Sequence, residues 1–447
     1  MASLGLAAIV AGSLVVVIAA QQGPSFLSPS LHRHPPGWLT WPFHGLWPGR
    51  SNTRIVLQRE LLIVLVAMTG CYLAVLALAR WLRPAVVWTA VVVTYFVFFL
   101  SPPLLLTDVF NYIDYARMGV LHGLNPYTHL PVDARHLHDT AVYHLSNWHH
   151  LRSPYGPLFT LVTYALVPLG LAGSYWAFKA LLMLVSISAL VLVARIARQL
   201  ELPPLPAVVI VGLNPLVLLF GAGGQHMDMF MLALVLAAIH LALSRREQIG
   251  AGLSVGAAAM KASAAALVPV FVAGARSRWR ALAGAIAGAA VFGGATLIAF
   301  GPHIPALRTQ EKLVSVYSLP NVIGYLLGRG GEDGTVRTAA QALLAAAAVA
   351  CIVYAWRRRE ILAPLGWLSV ATLVTLGWDM PWYILWVLPF IAFVRVRAFR
   401  IAAIFVCIWM TVQWLPLLPN ASHRVGINLS KTHQWKVNAR YLKSHLK

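Results

Sequence analysis

The stretch LLIVLVAMTGCYLAVLALA, Leu61 to Ala79, is followed by Arg80-Trp81-Leu82-Arg83 and then by AVVWTAVVVTYFVFFL, Ala85 to Leu100. Neither run holds a charged residue, and each approaches the roughly 20 residues that carry a helix across a bilayer. Lipid offers backbone amides no partners, so such runs must close their own hydrogen bonds as helices. A barrel would need alternating strands, which this pattern lacks. The rest of the chain repeats the pattern: of 447 residues, 59% are hydrophobic and only 11% charged, against about 25% charged in a soluble domain. The fold class is therefore an all-α polytopic membrane protein. The lipid bilayer is its first partner.

Apolar runs place spans near 3–20, 57–79, 85–102, 205–221, 229–244, 281–300, 338–356, 361–377, 381–394 and 400–418. Residues 2–20 lack the basic start of a secretory signal, which favours a retained first span over a cleaved peptide. Between Arg246 and Arg276 only one span's worth of apolar sequence lies between two basic flanks, which predicts a re-entrant pair of short helices turning near Lys261. Residues 155–198 are too long for one span and too basic at Arg195 and Arg198 for two. A short span plus a partly inserted helix is expected there.

The formal charge is +21, from 34 Lys and Arg against 13 Asp and Glu. The basic residues form small clusters between apolar runs, not the single basic face of a nucleic-acid reader, so no nucleic-acid partner is expected. Basic clusters mark cytoplasmic ends. Arg80/Arg83, Arg245/Arg246, Arg276 to Arg280, Arg357 to Arg359 and Arg395 to Arg400 then lie inside, which sends 21–56, 103–156, 222–228, 301–337 and 419–447 outside. The chain divides into N-terminal helices (1–102), a large outer loop after the third span (103–156), a helical core with a second outer loop at 301–337 (157–418), and a basic tail (419–447). That tail has six Lys or Arg and no acid from His423 onward, and reads as an amphipathic segment on a lipid surface. The cysteines Cys71, Cys351 and Cys407 lie inside apolar runs with no CxxC spacing, so neither disulfide framework nor zinc site is suggested.

With so few acids, each can be weighed. Glu60, Glu201, Glu247 and Glu360 sit beside basic residues near span ends and read as solvated or paired charges. Asp108 stands at the outer mouth of the third span in Thr107-Asp-Val-Phe-Asn-Tyr112. A continuing helix would put Asp108, Tyr112 and Tyr115 on one face, although Asp108 as a simple helix cap explains the same spacing. Asp114 is expected to pair with Arg117 at i,i+3. Gly123-Leu-Asn125-Pro-Tyr127 and Ser153-Pro-Tyr155-Gly-Pro157 read as loop-shaping turns. Gly224-Gln225-His226-Met-Asp228 could bind a cation or phosphate at a helix end. Lys261 at bilayer depth costs about 2.5–3.5 kcal/mol and marks a functional site by default, with snorkelling as the bland alternative. No cofactor is required by these residues; a divalent cation remains open, but His136/His138 and His149/His150 look like loop composition, not a ligand set. Gly377-Trp-Asp379-Met-Pro-Trp382-Tyr383 sets aromatics where a span begins, suiting either a cavity for a part-lipid, part-sugar ligand or an interfacial belt.

An outer-face carboxylate, aromatic loops and basic groups reaching into lipid suit transfer of a sugar from a polyprenyl phosphate. Such a reaction needs a base on the acceptor hydroxyl and cations on the departing phosphate.

The order Asp108-x3-Tyr112, Gly123-Leu-Asn-Pro-Tyr127, Trp148 before Ser153-Pro-Tyr-Gly-Pro-Leu158, Asn214-Pro-Leu216, Gly224-Gln-His-Met-Asp228, Lys261 and Pro381-Trp-Tyr-x2-Trp386 resembles the polyprenol-phosphomannose-dependent α-1,6-mannosyltransferases of the GT-C superfamily. The pattern departs at Met227, where the family has Asn, and at Ala116, where Gly is expected. The resemblance implies a GT-C bundle of about 11–13 transmembrane helices, with Asp108 at the position of the catalytic base. It implies transfer of a hexose, most readily mannose, with inversion, from a polyprenyl-phosphate sugar donor to a glycan or glycolipid acceptor. The setting it implies is the bacterial plasma membrane, with the active site on the outer face. Substrate-binding positions would be Tyr112, Arg117, Asn125, Tyr127, Tyr155, Gln225, His226, Asp228, Lys261, Asp379, Trp382 and Tyr383. A transporter or flippase of lipid-linked glycans is the competing class. Transporters bury their ionisable groups near the midplane at a repeat interface, whereas these acids cluster at one face and no repeat is visible.

Overall fold

The computed structural model describes residues 2–22, 36–47 and 53–446. Met1, Lys447 and parts of the expected outer segment 21–56 lie outside the described residues. The described chain is helical with no strand. Five stretches are long and apolar enough to cross a bilayer: Ala2–Gln21, Ile55–Trp81, Pro157–Gln199, Arg278–Phe300 and Gly334–Arg358. Shorter apolar helices lie at Pro84–Phe99, Asp228–Leu243, Ala262–Gly274, Leu362–Thr375 and Pro381–Phe393, with Pro204–Gly212, Glu247–Met260 and Arg397–Val412 packed among them.

Two expected spans are broken, each for a proline reason. The 205–221 run is helical only over Pro204–Gly212, then passes Asn214-Pro215 into a wide turn at Val217–Ala222. Pro215 has no amide hydrogen and its ring crowds the preceding turn; the Asn214 side chain instead accepts from the Leu216 amide at 3.0 Å. The 381–394 run is a tight 3₁₀ segment, Pro381–Trp386, followed by Leu388–Phe393 with Pro389 in its first turn. Between residues 155 and 198 the short element comes first, as Pro157–Tyr164, and a single 30-residue helix, Gly170–Gln199, follows.

The Lys261 region is a hairpin. Glu247–Met260 runs in, the backbone turns extended at Lys261, and Leu267–Gly274 runs back. Its two mouths are tied together, because the amides of Arg276 and Ser277 each donate to the Glu247 carboxylate at 2.7 Å. Glu247 is thus a buried clamp, not the solvated charge its basic neighbours suggested. Close helix approach supports the hairpin: a β-carbon at Gly284 would collide with the Gln248 carbonyl, the small-residue contact by which helices pack in lipid.

The basic tail does not lie as a free amphipathic segment. Its helix, His433–Lys443, packs on the 103–156 and 301–337 segments. Tyr441, Leu442 and Leu446 cover Trp148, Leu151 and Leu313, and the Tyr441 hydroxyl donates to the Thr309 carbonyl at 3.2 Å. The apolar stripe that suggested a lipid surface is spent on protein.

Candidate active site

A cavity of about 470 Å3 opens where the Asp108–His122 helix, the Gly224–Asp228 turn, the Lys261 hairpin tip, the 381–386 segment and the 301–337 loop meet. Eight of the positions implied by the resemblance line it: Asp108, Tyr112, Tyr155, His226, Asp228, Lys261, Trp382 and Tyr383.

Asp108 begins its helix, with the side chain partly open to the cavity. Its Oδ2 lies 3.3 Å from His226 Nδ1, off the line of a hydrogen bond, while Asn111 Nδ2 approaches Oδ1 at 3.3 Å. Asn111 in turn fixes the far loop, because its carbonyl oxygen accepts from the amides of Asn147 at 2.9 Å and Trp148 at 3.2 Å. His226 is buried and stacked flat on Trp382, ring centroids 3.3 Å apart and 9° from parallel. Gly224 makes room for that ring, since a β-carbon there would come within 2.7 Å of it.

The second cluster is Lys261 with Asp228. Lys261 Nζ donates to both Asp228 oxygens at 2.8 and 2.9 Å, and Trp386 Nε1 donates to Asp228 Oδ1 at 2.7 Å. The ammonium also sits over the rings of Tyr383 and Trp386, at 4.3 and 5.0 Å. Asp228 is wholly buried, whereas the Lys261 side chain keeps 18% exposure on the cavity side. Lysine has three N–H donors and Asp228 engages at most two, so the ammonium keeps donor capacity at the cavity's edge. The snorkelling alternative fails on geometry. Gly156 explains how the hairpin tip meets the 103–156 segment: a β-carbon would strike the carbonyls of Ala259 and Met260, so glycine lets Tyr155 and Lys261 share one wall. Trp382 and Tyr383 are buried and line the cavity, which decides against an outward aromatic belt.

The remaining implied positions stand behind the walls. Arg117 does not pair with Asp114; its guanidinium binds Asp139 at 2.9 Å, with His122 on the same carboxylate at 3.0 Å. Burial alone would raise the Asp139 carboxyl, but the hydrogen bonds from Arg117 and His122, with the Arg117 charge, outweigh it and hold it below the usual range. The reason lies in helix direction, since Asp114 points at the 143–149 segment and accepts from Ser146 Oγ at 2.7 Å. Asn125 donates to the Phe300 carbonyl at 2.7 Å, and the Tyr127 hydroxyl bonds the Tyr155 carbonyl and Thr160, at 3.0 and 2.9 Å. Gln225, with φ at +60°, donates to the Ser101 carbonyl and the Tyr175 hydroxyl, at 3.1 and 3.0 Å. Lys179 Nζ reaches the same Ser101 carbonyl at 2.5 Å, so this knot anchors the chain just ahead of Asp108. Asp379 turns its carboxylate to Gln413 Nε2, 2.8 Å away.

Asp114 carries a pH signature. Burial, only partly offset by Ser146, pushes its carboxyl up to about 7, against about 3.9 in an unfolded chain. The folded state therefore holds the proton more tightly, and this contribution to stability is complete below about pH 4 and lost as the pH climbs towards 7. Asp114→Asn, which keeps an acceptor for Ser146, is expected to flatten the fall in melting temperature between pH 5 and 8 relative to wild type. Parallel melting curves for the two proteins would refute it.

Trp378 and Trp386, which stood in quoted motifs without an assigned role, also line the cavity, and four further lining residues were not singled out from sequence: Gln310, Glu311, Glu332 and Arg337. Glu332 and Arg337 form an ion pair at 3.0 Å, and burial pushes the Glu332 carboxyl up against the lowering pull of Arg337. The signal available was Gly330-Gly-Glu-Asp-Gly334, two of only 13 acids in a glycine-rich turn. Among the described residues, no cluster of three or more His, Cys, Asp or Glu could hold a metal ion.

These features define a polytopic helical membrane protein with a carboxylate, a histidine and an ion-paired lysine around one aromatic-walled cavity. The chain belongs to the family described as α-(1→6)-mannopyranosyltransferase, N-terminal domain, whose profile matches residues 6–276. An α-(1→6)-mannopyranosyltransferase of Mycobacterium tuberculosis is 25% identical over 386 residues, covering 68% of this chain and 65% of that protein. A probable α-(1→6)-mannopyranosyltransferase of Mycolicibacterium smegmatis is 28% identical over 363 residues, with 68% and 64% covered. A shorter match, 32% over 179 residues, joins it to α-(1→6)-mannopyranosyltransferase A of Mycobacterium tuberculosis, with 39% and 34% covered. The chain thus spans a little under two thirds of the first two relatives. No solved structure matches it significantly.

Proposed function

We propose that this protein is a membrane mannosyltransferase that moves mannose from a polyprenyl-phosphate donor to a hydroxyl of a glycan or glycolipid acceptor at the outer face of a bacterial membrane. The observation that carries the reading is the pairing, in one cavity, of a carboxylate at the mouth of a helix, Asp108, with a lysine whose ammonium borders the same space. Asp108 takes the proton from the acceptor hydroxyl as its oxygen forms the bond to the anomeric carbon. The bond from that carbon to the phosphate oxygen breaks, and the phosphate leaves with the pair of electrons. A phosphate monoester needs no general acid to depart; it needs positive charge and hydrogen-bond donors, and the Lys261 ammonium with a His226 ring N–H would supply them. The family assignment supports mannose as the sugar, and the relatives' names support an α-(1→6) linkage.

One carboxylate acting as base, with no separate activated nucleophile beside it, means a single displacement and inversion. A β-linked mannosyl phosphate is therefore expected to give an α-linked product. The test incubates membranes carrying the chain with polyprenyl phosphomannose and an α-(1→6)-mannoside acceptor, and reads the one-bond carbon–proton coupling at the anomeric centre of the product. A retained configuration, or a trapped mannosyl-enzyme, would overturn it. Movement of the intact lipid-linked sugar across the membrane without transfer would favour a transporter.

A further inference from the structure

The cavity is longer than the catalytic cluster needs. Beyond Asp108 its wall continues through Trp148, whose amide is held by the same Asn111 that touches the base. Trp148 meets Trp378 edge to face, centroids 6.4 Å apart. Beside Trp378, Gly377 seats the Glu332 carboxylate, since a β-carbon at Gly377 would strike it. Glu332 is held as rigidly as any group in the site: its amide donates to Asn321 Oδ1 at 2.8 Å and its carbonyl accepts from Asn438 Nδ2 at 3.3 Å. One carboxylate oxygen, Oε1, is engaged by Arg337 Nε at 3.0 Å. The other, Oε2, is buried with no hydrogen-bond partner among the described residues.

A buried carboxylate oxygen without a donor is costly, and native structures rarely keep one idle. Here it sits on a wall with an arginine that has N–H groups to spare and with two indole rings. A carboxylate that accepts beside a guanidinium that donates matches a pair of neighbouring hydroxyls, one giving a proton and one receiving. Indole rings match the apolar C–H faces of a pyranose. A phosphate fits poorly, because Glu332 would repel it.

We infer that Trp148, Trp378, Glu332 and Arg337 form the subsite for the acceptor sugar, taking a neutral hexose chain end by two adjacent hydroxyls and presenting its free hydroxyl to Asp108. The inference rests on the transferase reading and extends it by dividing the cavity: donor phosphate towards Lys261, acceptor towards Glu332. The three residues Glu332, Arg337 and Trp378 lie beyond position 276, where the family profile ends. Acceptor choice is thus set by a different part of the chain from the base.

The test uses the full chain in detergent with α-(1→6)-mannobiose as probe, by titration calorimetry and, with polyprenyl phosphomannose, by initial rates. Glu332→Gln is expected to weaken mannobiose binding and raise acceptor KM by roughly 10- to 100-fold, the loss of one charged hydrogen bond. Donor KM and kcat at saturating acceptor should stay near wild type. Should that variant fail to fold, Trp378→Ala carries the same readout. Unchanged acceptor KM and affinity, or an equal loss on the donor side, overturns the assignment. If wild type binds mannobiose through Glu332 yet transfers nothing, the subsite stands and the transferase reading falls; if Asp108→Asn stops transfer while Glu332→Gln changes nothing, the reverse holds.

Discussion

Asp108→Asn is expected to lower kcat by about 10²- to 10⁴-fold, the range that removal of a positioned general base gives, with donor affinity nearly unchanged. The substitution preserves shape: an amide oxygen can still accept from Asn111, and the ring of His226 is held by stacking on Trp382, not by the carboxylate alone. What disappears is the ability to receive a proton. Side-chain exposure at Asp108 is small, at 12%, but it faces the cavity, so an acceptor oxygen can reach it without unfolding the helix. The measurement is initial rate against acceptor concentration, paired with a melting curve. Full turnover in the variant would remove Asp108 from the chemistry, and a collapsed melting curve would show that its charge in the first turn serves the helix, whose N-cap is Thr107.

The candidate cluster was legible in the sequence because its members are unusual there. Asp108, Asp228 and Lys261 are charges in a weakly charged chain; the two acids stand at the ends of apolar runs and Lys261 inside one, where physics demands a reason for it. Tyr112 and Tyr155 followed from helical spacing and from a turn motif. Arg117, Asn125, Tyr127, Gln225 and Asp379 stand in or beside the same motifs, yet they face away from the cavity. Sequence spacing reports which residues share an element, not what the opposite face meets: Arg117 finds Asp139 across a loop, and Gln225 finds Ser101 in the chain ahead of the base. Glu332 and Arg337 were harder still. Nothing near them in sequence says that residues 301–337 fold over the cavity, because that placement depends on the C-terminal helix packing on Trp148 and Leu313. The same long-range packing hid the fate of the tail, whose amphipathic pattern fits lipid and protein equally well. The hairpin at Lys261 was the opposite case, where counting apolar residues against basic flanks left too little chain to cross and return by any other route.

Lys261→Ala is expected to have two separable effects, and their separation identifies the role of the lysine. Asp228 is buried, and its carboxylate is held by Lys261 and Trp386. Deleting the lysine leaves that charge with one neutral donor, which should cost about 3 kcal/mol of stability, the low end for a broken buried pair because the ammonium still reaches the cavity. The double variant Lys261→Ala/Asp228→Asn removes the stranded charge and should recover most of the melting temperature. It should not recover donor use. If the spare N–H of Lys261 binds the donor phosphate, both variants lose that charge-assisted contact, and donor KM should rise by roughly 10- to 100-fold in each while acceptor KM barely moves. If Lys261 only neutralises Asp228, the double variant regains donor KM together with stability. Donor KM in the charge-balanced double variant is therefore the decisive quantity, since it is the one number for which a structural ion pair and a phosphate-binding cation demand opposite values.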